Sequence, residues 1–227
     1  MWRVQVVPVH VRCAVLLAIS LLVSSCAGGP NYVAEKEPWR DTSERACLES
    51  GALQQSAFLT PVSRLGGPGV CGALSPFEMS AADYGRVALR PAAILRCPMV
   101  GSVDDWVRNS IAPAAIQHLG SPVVELQVAA SYACRPRNHV DGAKLSEHGL
   151  ANAIDISAFL LADGRKITVK RGWRGNFDEQ AFLRAVRTGA CQRFATVLTP
   201  DADRHHHDHF HVDLARHNSS GTYRVCR

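Results

Sequence analysis

The spacing of apolar side chains between Pro98 and Leu119 is that of one face of a helix, and Gly120 follows as a stop signal. We therefore predict one amphipathic helix over this stretch, with Pro113 marking the point at which it could kink. Within it, we expect Trp106 to be a core residue and His118 a surface residue, rather than ligands.

After Gly120 the pattern changes to short apolar runs and period-two alternation, which predict β-strands. The predicted strands are 123–129, 153–159, 165–169 and 209–214, and Ala162–Arg165 is a hairpin turn signal. A second helix is predicted from Asp178 to about Cys191. These elements predict an α+β fold with a mainly antiparallel sheet and flanking helices.

The N-terminal 25 residues have the pattern of a signal peptide. Arg3 and Arg12 precede an apolar run, 14–23, that is shorter than the roughly 20 residues of a membrane-spanning helix. Small residues then lead directly to Cys26. The stretch 23–26 resembles the lipobox of bacterial lipoproteins, which implies lipidation of Cys26 and a lipid anchor in the membrane. An ordinary secretory signal with an unrelated cysteine is the alternative, and both place the mature chain in the cell envelope or periplasm.

Residues 26–42 are polar and contain several glycines and prolines, so we predict a tether there. The folded domain is predicted to span 43–227, with a short helix from Ser43 to about Leu59. Sequence alone assigns no role to 43–90.

Eight cysteines support export. Apart from Cys13 in the signal and Cys26, an even set is left for disulfides: Cys47, Cys71, Cys97, Cys134, Cys191 and Cys226. Because no Cys-x-x-Cys occurs, neither a zinc knuckle nor a thioredoxin-like pair is indicated. Many pairings are open, and Cys71 with Cys97, which bracket one short segment, is the pair we favour.

The formal net charge is +5, and loss of Arg3 and Arg12 with the signal leaves about +3. No basic run with interleaved aromatic residues is present, so nucleic acid is not an expected partner. We expect a monomer.

Two distant strand-like segments, 146–156 and 205–213, contain the chemically unusual residues. In the first, Asp155 lies among apolar neighbours, where a carboxylate is costly unless a metal or counter-charge compensates it. In the second, period-two alternation places His209, His211 and Asp213 on one strand face. Ligands of mixed His and Asp type suit a catalytic zinc site with one open position. An exposed, metal-scavenging or merely polar histidine tract is the alternative.

His148-x6-Asp155 followed by His209-x-His211 is similar to the signature of the metallopeptidase superfamily that contains lysostaphin-type endopeptidases, D-alanyl-D-alanine peptidases and hedgehog domains. Within that superfamily, the stretch from Cys71 to Asp213 resembles the bacterial extensin-like C-terminal domain family. The resemblance implies a fold of the hedgehog and D-Ala-D-Ala peptidase type, Zn²⁺ as cofactor and peptidoglycan peptide as substrate.

Transferred by position, the resemblance implies His148, Asp155 and His211 as zinc ligands and His209 as general base or transition-state stabiliser. The carboxypeptidase branch usually has glutamate where this chain has His209, which favours endopeptidase chemistry without excluding carboxypeptidase action. His206 matches a further histidine of one endopeptidase branch. Arg135 matches an arginine that polarises the scissile carbonyl or binds a terminal carboxylate, with a surface salt bridge as the alternative.

Three neighbouring residues have weaker assignments. Ser146 either lines the substrate groove or caps a turn, and Glu147 is expected to point away from the metal. Asp213 could accept the spare N–H of a ligand imidazole.

The candidate ligands predict metal-assisted amide hydrolysis without a covalent intermediate, by a zinc metallopeptidase. The resemblance implies that it cuts peptidoglycan as a D,D-endopeptidase or D,D-carboxypeptidase. A lipoprotein that uses the same residues to hold zinc or to bind cell wall without turnover is the competing hypothesis.

Overall fold

The computed structural model describes residues 31–53 and 55–227. The predicted signal peptide and the predicted lipidation site, Cys26, lie outside the described residues. Within the described part of the chain, no helix combines the length and apolarity needed to cross a bilayer.

A nine-stranded sheet forms the centre of the described chain. Its strands are β1 (Leu59–Pro61), β4 (Phe77–Ala82), β5 (Val87–Leu95), β6 (Val123–Ala130), β7 (Ala153–Leu161), β8 (Lys166–Thr168), β9 (Thr196–Leu198), β10 (Phe210–Asp213) and β11 (Val225–Cys226). They lie in the order β1-β4-β5-β6-β7-β10-β9-β11, with β8 also paired to β7. A separate hairpin pairs β2 (Leu65–Gly66) with β3 (Gly72–Ala73).

The sheet is mixed but mostly antiparallel. Parallel pairing occurs between β5 and β6 and between β9 and β11, and every other strand pair in the described residues is antiparallel. A parallel pair needs a long crossover, and the helices between β5 and β6 supply it. The predicted α+β class is therefore confirmed, with a sheet that includes parallel pairs.

Five α-helices accompany the sheet in the described residues: α1 (Pro38–Glu49), α2 (Cys97–Trp106), α3 (Ala112–Leu119), α4 (Val169–Gly172) and α5 (Phe177–Arg193). A π-helical segment, Val107–Ile111, joins α2 to α3. The helix predicted over 98–119 is thus present as one helical run, in which the middle five residues have π-helical instead of α-helical hydrogen bonding. Pro113 lies in the first turn of α3, where its missing N–H is tolerated.

Aromatic side chains fill the core between the sheet and these helices. Phe210 of β10 makes edge contacts with Trp106, Phe159 and Trp173. Trp106 is fully buried, as predicted, and its Nε1 donates to the carbonyl oxygen of Val186 in α5 at 3.0 Å. Burial of such large rings dominates core energetics, so Phe210 fixes which face of β10 is turned inward.

The N-terminal boundary differs from the predicted one. Helix α1 begins at Pro38, within the predicted tether, and ends at Glu49, well before Leu59. Val33 also pairs by backbone hydrogen bonds with residues 143 and 145. A tether was expected because polar residues in this stretch were assumed to be solvated, whereas Arg40 is buried in ion pairs with Glu37 and Glu147.

Three disulfides connect these elements: Cys47–Cys97, Cys71–Cys134 and Cys191–Cys226. The favoured pairing of Cys71 with Cys97 is wrong. Cys97 begins α2 and bonds to Cys47 of α1, whereas Cys71 bonds to Cys134 in the segment that follows β6. Proximity along the chain misled because the sheet brings together residues that are distant in sequence.

Candidate metal centre

Two of the predicted ligands lie on adjacent antiparallel strands. His211 of β10 is the direct cross-strand partner of Asp155 of β7. Their strand neighbours Ile154 and Val212 turn into the hydrophobic core, so the imidazole and the carboxylate project together from the opposite face of the sheet. The alternation read from the sequence therefore positions both side chains.

His148 lies in a 3₁₀ turn, Glu147–Leu150, rather than in the strand-like segment that the sequence suggested. Ser146 caps this turn, its Oγ accepting from the backbone N–H of His148 at 3.4 Å, and Ala151 ends it in the left-handed conformation. Glu147 is turned away from the three candidate ligands, as predicted, because both of its carboxylate oxygens bind Arg40.

The inner atoms of the three side chains converge. His148 Nε2 lies 3.1 Å from Asp155 Oδ2, and His211 Nδ1 lies 2.8 Å from Asp155 Oδ1. The two imidazole nitrogens are 3.3 Å apart. These three residues form the one cluster of potential metal ligands found in the described part of the chain.

The outer imidazole nitrogens are both engaged. His148 Nδ1 donates to the carbonyl oxygen of Ser131 at 2.6 Å, and His211 Nε2 donates to Asp213 Oδ2 at 3.0 Å. The contact predicted for Asp213 is present. Such partners fix the tautomer of a metal-binding histidine, because a carbonyl or carboxylate oxygen can only accept. With these tautomers, an imidazole in its neutral form directs its lone pair toward the carboxylate of Asp155, as a metal ligand would.

Three electron-pair donors that face one another repel unless a cation lies between them. The pKa values of His211 and Asp155 are shifted in the directions that let a proton occupy this place. Burial alone would lower the pKa of His211, but its hydrogen bonds to Asp155 and Asp213 raise that pKa to about 10. Burial alone would raise the pKa of Asp155, but the hydrogen bonds from His148 and His211 hold it well below its ordinary value. The cluster therefore binds a proton strongly when no metal is present.

The donor set also fits a small, borderline-soft metal ion. Two ligands with zinc bonds of 2.0–2.1 Å in a tetrahedron lie roughly 3.3 to 3.4 Å apart. In the described cluster the two imidazole nitrogens are 3.3 Å apart, and one ligand atom from each of the three residues lies within 4.8 Å of the others, which is close to that size. Two imidazoles and one carboxylate leave a fourth tetrahedral position open.

Two further histidines border this cluster. His209 precedes β10, and its Nε2 lies 3.8 Å from Asp155 Oδ1 while its Nδ1 donates to Asp208 at 2.9 Å. His206 is buried, and the centroid of its ring lies 5.3 Å from the ring centroid of His209 and 5.7 Å from that of His211. Burial lowers the pKa of His206, although the hydrogen bond to Asp203 opposes this.

The cluster opens into a cleft of about 370 Å³. The turn-capping alternative for Ser146 is confirmed, and Ser146 also lines this cleft. Its role in binding substrate stays a prediction. Arg135 also lines the cleft, and among the described residues its guanidinium donates only to the carbonyl oxygen of Pro136, at 3.4 Å. Among the described residues, no carboxylate lies within ion-pair distance of Arg135, so the surface salt bridge considered for it is not formed.

Sequence reasoning missed the acidic partners of the two histidines that border the cluster, His206 and His209. Asp203 binds His206, and Asp208 binds His209. The segment Asp201–Asp213 alternates acidic residues with histidines, and that interleaving is the signal that could have identified them. The Ser131 carbonyl had no signal, because backbone groups are the same at every position.

Comparison with known proteins gives one match. The family model for the extensin-like protein C-terminus matches residues 45–227. No curated protein and no solved structure matches the chain. This match covers most of the chain and includes His148, Asp155 and His211. The chain therefore belongs to the extensin-like protein C-terminus family.

Proposed function

We propose that this protein is a zinc-dependent peptidase that hydrolyses peptide bonds of peptidoglycan in the cell envelope. One observation carries the proposal: the inner atoms of His148, Asp155 and His211 converge, while the outer nitrogens of both imidazoles are held by Ser131 and Asp213. This arrangement lies beside an open cleft, where a bound metal ion could also reach a substrate.

When bound, zinc would polarise the peptide carbonyl and lower the pKa of a water molecule toward about 7. The remaining chemistry belongs to the chain. His209 has its Nδ1 hydrogen directed to Asp208, which leaves Nε2 with a lone pair at the edge of the ligand cluster. In this position His209 can accept the proton of the attacking water and return it to the leaving amine.

Arg135 and His206 are the proposed substrate contacts. The guanidinium of Arg135 has most of its donors free within the cleft, so it can bind a peptide carbonyl or a terminal carboxylate. His206 packs against His209 and His211 and limits the space around them. Ser146 contributes to the wall of the same cleft.

The choice of peptidoglycan peptide as substrate depends on the resemblance of the ligand pattern to lysostaphin-type and D-alanyl-D-alanine peptidases. We propose that the chain shares their superfamily and the hedgehog-type fold. We also propose export by residues 1–25, with lipidation at Cys26, because this location would place the enzyme beside its substrate.

The deciding experiment is digestion of purified muropeptides by the protein, with and without a chelator, followed by mass spectrometry. We expect cleavage that stops on chelation and returns with zinc. The His209→Ala variant should retain about one zinc per chain and lose roughly 10²- to 10⁴-fold in rate. His207→Ala is the matched control, because His207 is exposed in the same segment and does not line the cleft.

Two results would overturn the enzyme proposal in different ways. Zinc bound at His148, Asp155 and His211 without chelator-sensitive cleavage of any muropeptide would favour a non-catalytic zinc- or wall-binding lipoprotein. Absence of stoichiometric zinc in the wild-type protein would remove both hypotheses. Loss of zinc in His209→Ala would instead add His209 to the ligand set.

A further inference from the structure

A second pocket, of about 220 Å³, lies between α1, the first turn of α2 and the segment that follows β10. Five arginines line it, Arg40, Arg96, Arg193, Arg216 and Arg224, and no acidic side chain does. None of the residues that line this arginine pocket also lines the metal cleft. The proposed peptidase function therefore leaves the pocket unexplained.

Two arginines at the base of the pocket are buried. Arg40 is neutralised by Glu147 and Glu37. Arg96 is less well compensated: its Nε and Nη2 donate to backbone carbonyls, and its Nη1 lies 4.0 Å from Glu44. Both oxygens of Glu44 already accept backbone N–H groups, from Leu74 and Ser75.

The Nη1 atom of Arg96 is consequently buried without a hydrogen-bond partner among the described residues. Burial lowers the pKa of Arg96, and the charge of Arg40 lowers it further, while Glu44 opposes both effects. An orphaned buried guanidinium hydrogen is costly, and an anion nearby reduces that cost. Nearby carboxylates compensate most of the charge of the buried arginines, and Arg193 is paired with Asp105. The pocket arginines without a carboxylate partner are therefore those at its rim.

The rim adds two exposed guanidinium groups. Arg216 stacks on Trp39, with its guanidinium carbon 4.4 Å from the ring centroid. Arg224 donates through Nη1 to the carbonyl oxygens of Gln192 and Phe194, each at 3.0 Å. Neither Arg216 nor Arg224 has a carboxylate within ion-pair distance among the described residues. Stacking and backbone contacts hold these groups in place while leaving donors free for a ligand.

We propose that the arginine pocket binds a phosphate group. Its volume is below the roughly 300 to 1,000 Å³ of pockets for drug-sized molecules, so it suits one anionic group rather than a whole large ligand. Arg216 and Arg224, the two pocket arginines without a carboxylate partner among the described residues, match the charge of a phosphate better than that of a single carboxylate. The phosphate can belong to a free ion or to the headgroup of an anionic lipid.

The test is calorimetric titration of the purified full-length protein with inorganic phosphate. We expect saturable binding that weakens about tenfold in Arg216→Gln and further in the Arg216→Gln, Arg224→Gln double variant. Arg174→Gln is the matched control, since Arg174 is exposed and lies outside the pocket. Zinc content and muropeptide cleavage should not change in any of these variants, so this test is independent of the peptidase proposal.

Vesicles separate the two sources of phosphate. If the ligand is a lipid headgroup, Arg216→Gln should reduce binding to phosphatidylglycerol vesicles and leave binding to phosphatidylcholine vesicles unchanged. If the ligand is a free ion, the variant should lose phosphate binding with equal binding to both kinds of vesicle. Either result supports a phosphate site.

The proposal is overturned if phosphate does not bind to the wild-type protein or if Arg216→Gln and Arg174→Gln bind it equally well. It is also overturned if phosphate binding disappears on chelation of the metal, because the anion would then occupy the metal centre. Because Arg224 also donates to two backbone carbonyl oxygens, its replacement removes contacts within the fold. If the double variant is unstable for this reason, the single Arg216→Gln variant still tests the proposal.

Discussion

His211 donates its Nε2 hydrogen to Asp213, two residues further along the same strand, at 3.0 Å. The same alternation that projects His211 toward Asp155 therefore also supplies its orienting carboxylate. A strand of four residues holds both a candidate ligand and the group that fixes its tautomer.

Replacement of this carboxylate should weaken the metal site without removing a ligand. We expect Asp213→Asn to lower zinc affinity by about 10- to 100-fold, because an amide holds the imidazole less firmly and makes it less basic. Competition with a chromophoric chelator measures the change. Asp208→Asn is the control, since Asp208 contacts His209 instead of a ligand, and equal affinities in the two variants would contradict the orienting role.

Metal uptake should release a proton from His211. Its pKa of about 10 means that the metal-free protein carries this proton at neutral pH, whereas a metal ligand must be the neutral imidazole. Near neutral pH we expect release of about one proton per zinc bound, and an affinity that rises with pH. Calorimetry in two buffers of different ionisation enthalpy counts the protons, and release of none would exclude His211 as a ligand.

The same proton predicts how the stability of the metal-free protein depends on pH. The pKa of His211 rises from 6.5 to about 10 on folding, so its contribution is complete below 6.5 and is lost as the pH increases toward 10. Asp155, whose pKa is lowered, contributes above its ordinary value of 3.8 and loses this contribution only in acid. Urea unfolding with chelator should show the alkaline loss, and saturating zinc should reverse the trend. A flat profile with chelator would contradict it.

The buried pair of Arg40 and Glu147 should matter for both folding and the metal site. Arg40 Nη1 and Nη2 bind the two Glu147 oxygens at 2.6 and 2.7 Å, and Glu147 directly precedes His148. We expect Arg40→Ala to lower the free energy of unfolding by about 3–5 kcal/mol, because the carboxylate is left buried and unpaired. Denaturant titration tests this against Arg45→Ala, an exposed position on the same helix that should change stability little.

The Cys71–Cys134 disulfide should stabilise the site as well as the fold. It closes a long loop, with a sequence separation of 63, and Cys134 lies three residues after Ser131, whose carbonyl holds His148. Replacing both cysteines by serine should cost about 4 kcal/mol and reduce zinc affinity. Removing Cys191–Cys226, which is remote from the ligands, should cost a similar amount of stability but leave affinity unchanged. Equal affinity in both variants would contradict the link to the site.

Local pattern predicted much of the fold around the site. The strand predicted over 209–214 is β10, Phe210–Asp213, and the helix predicted from Asp178 is α5, which begins at Phe177 behind an Asn176–Glu179 capping box. These predictions work because period-two alternation and helix caps are properties of neighbouring residues. The same reasoning places His211 and Asp213 on one face.

Features that depend on long-range contacts could not be predicted. The start of α1 and the pairing of Cys97 with Cys47 follow from tertiary packing, which buries a polar helix face through ion pairs. The parallel pairing of β5 with β6 depends on where the intervening helices return the chain. The arginine pocket is assembled from five separate stretches of the chain, so no single stretch of sequence contains its signal.

The order of the ligands along the chain has a consequence for biogenesis. His148 and Asp155 leave the ribosome or a translocation channel as a pair, but His211 follows 56 residues after Asp155. Until that residue arrives and β10 pairs with β7, the emerging polypeptide offers metal ions only two donors. If the cluster holds a metal as proposed, its capture would therefore follow the pairing of β10 with β7 rather than precede it.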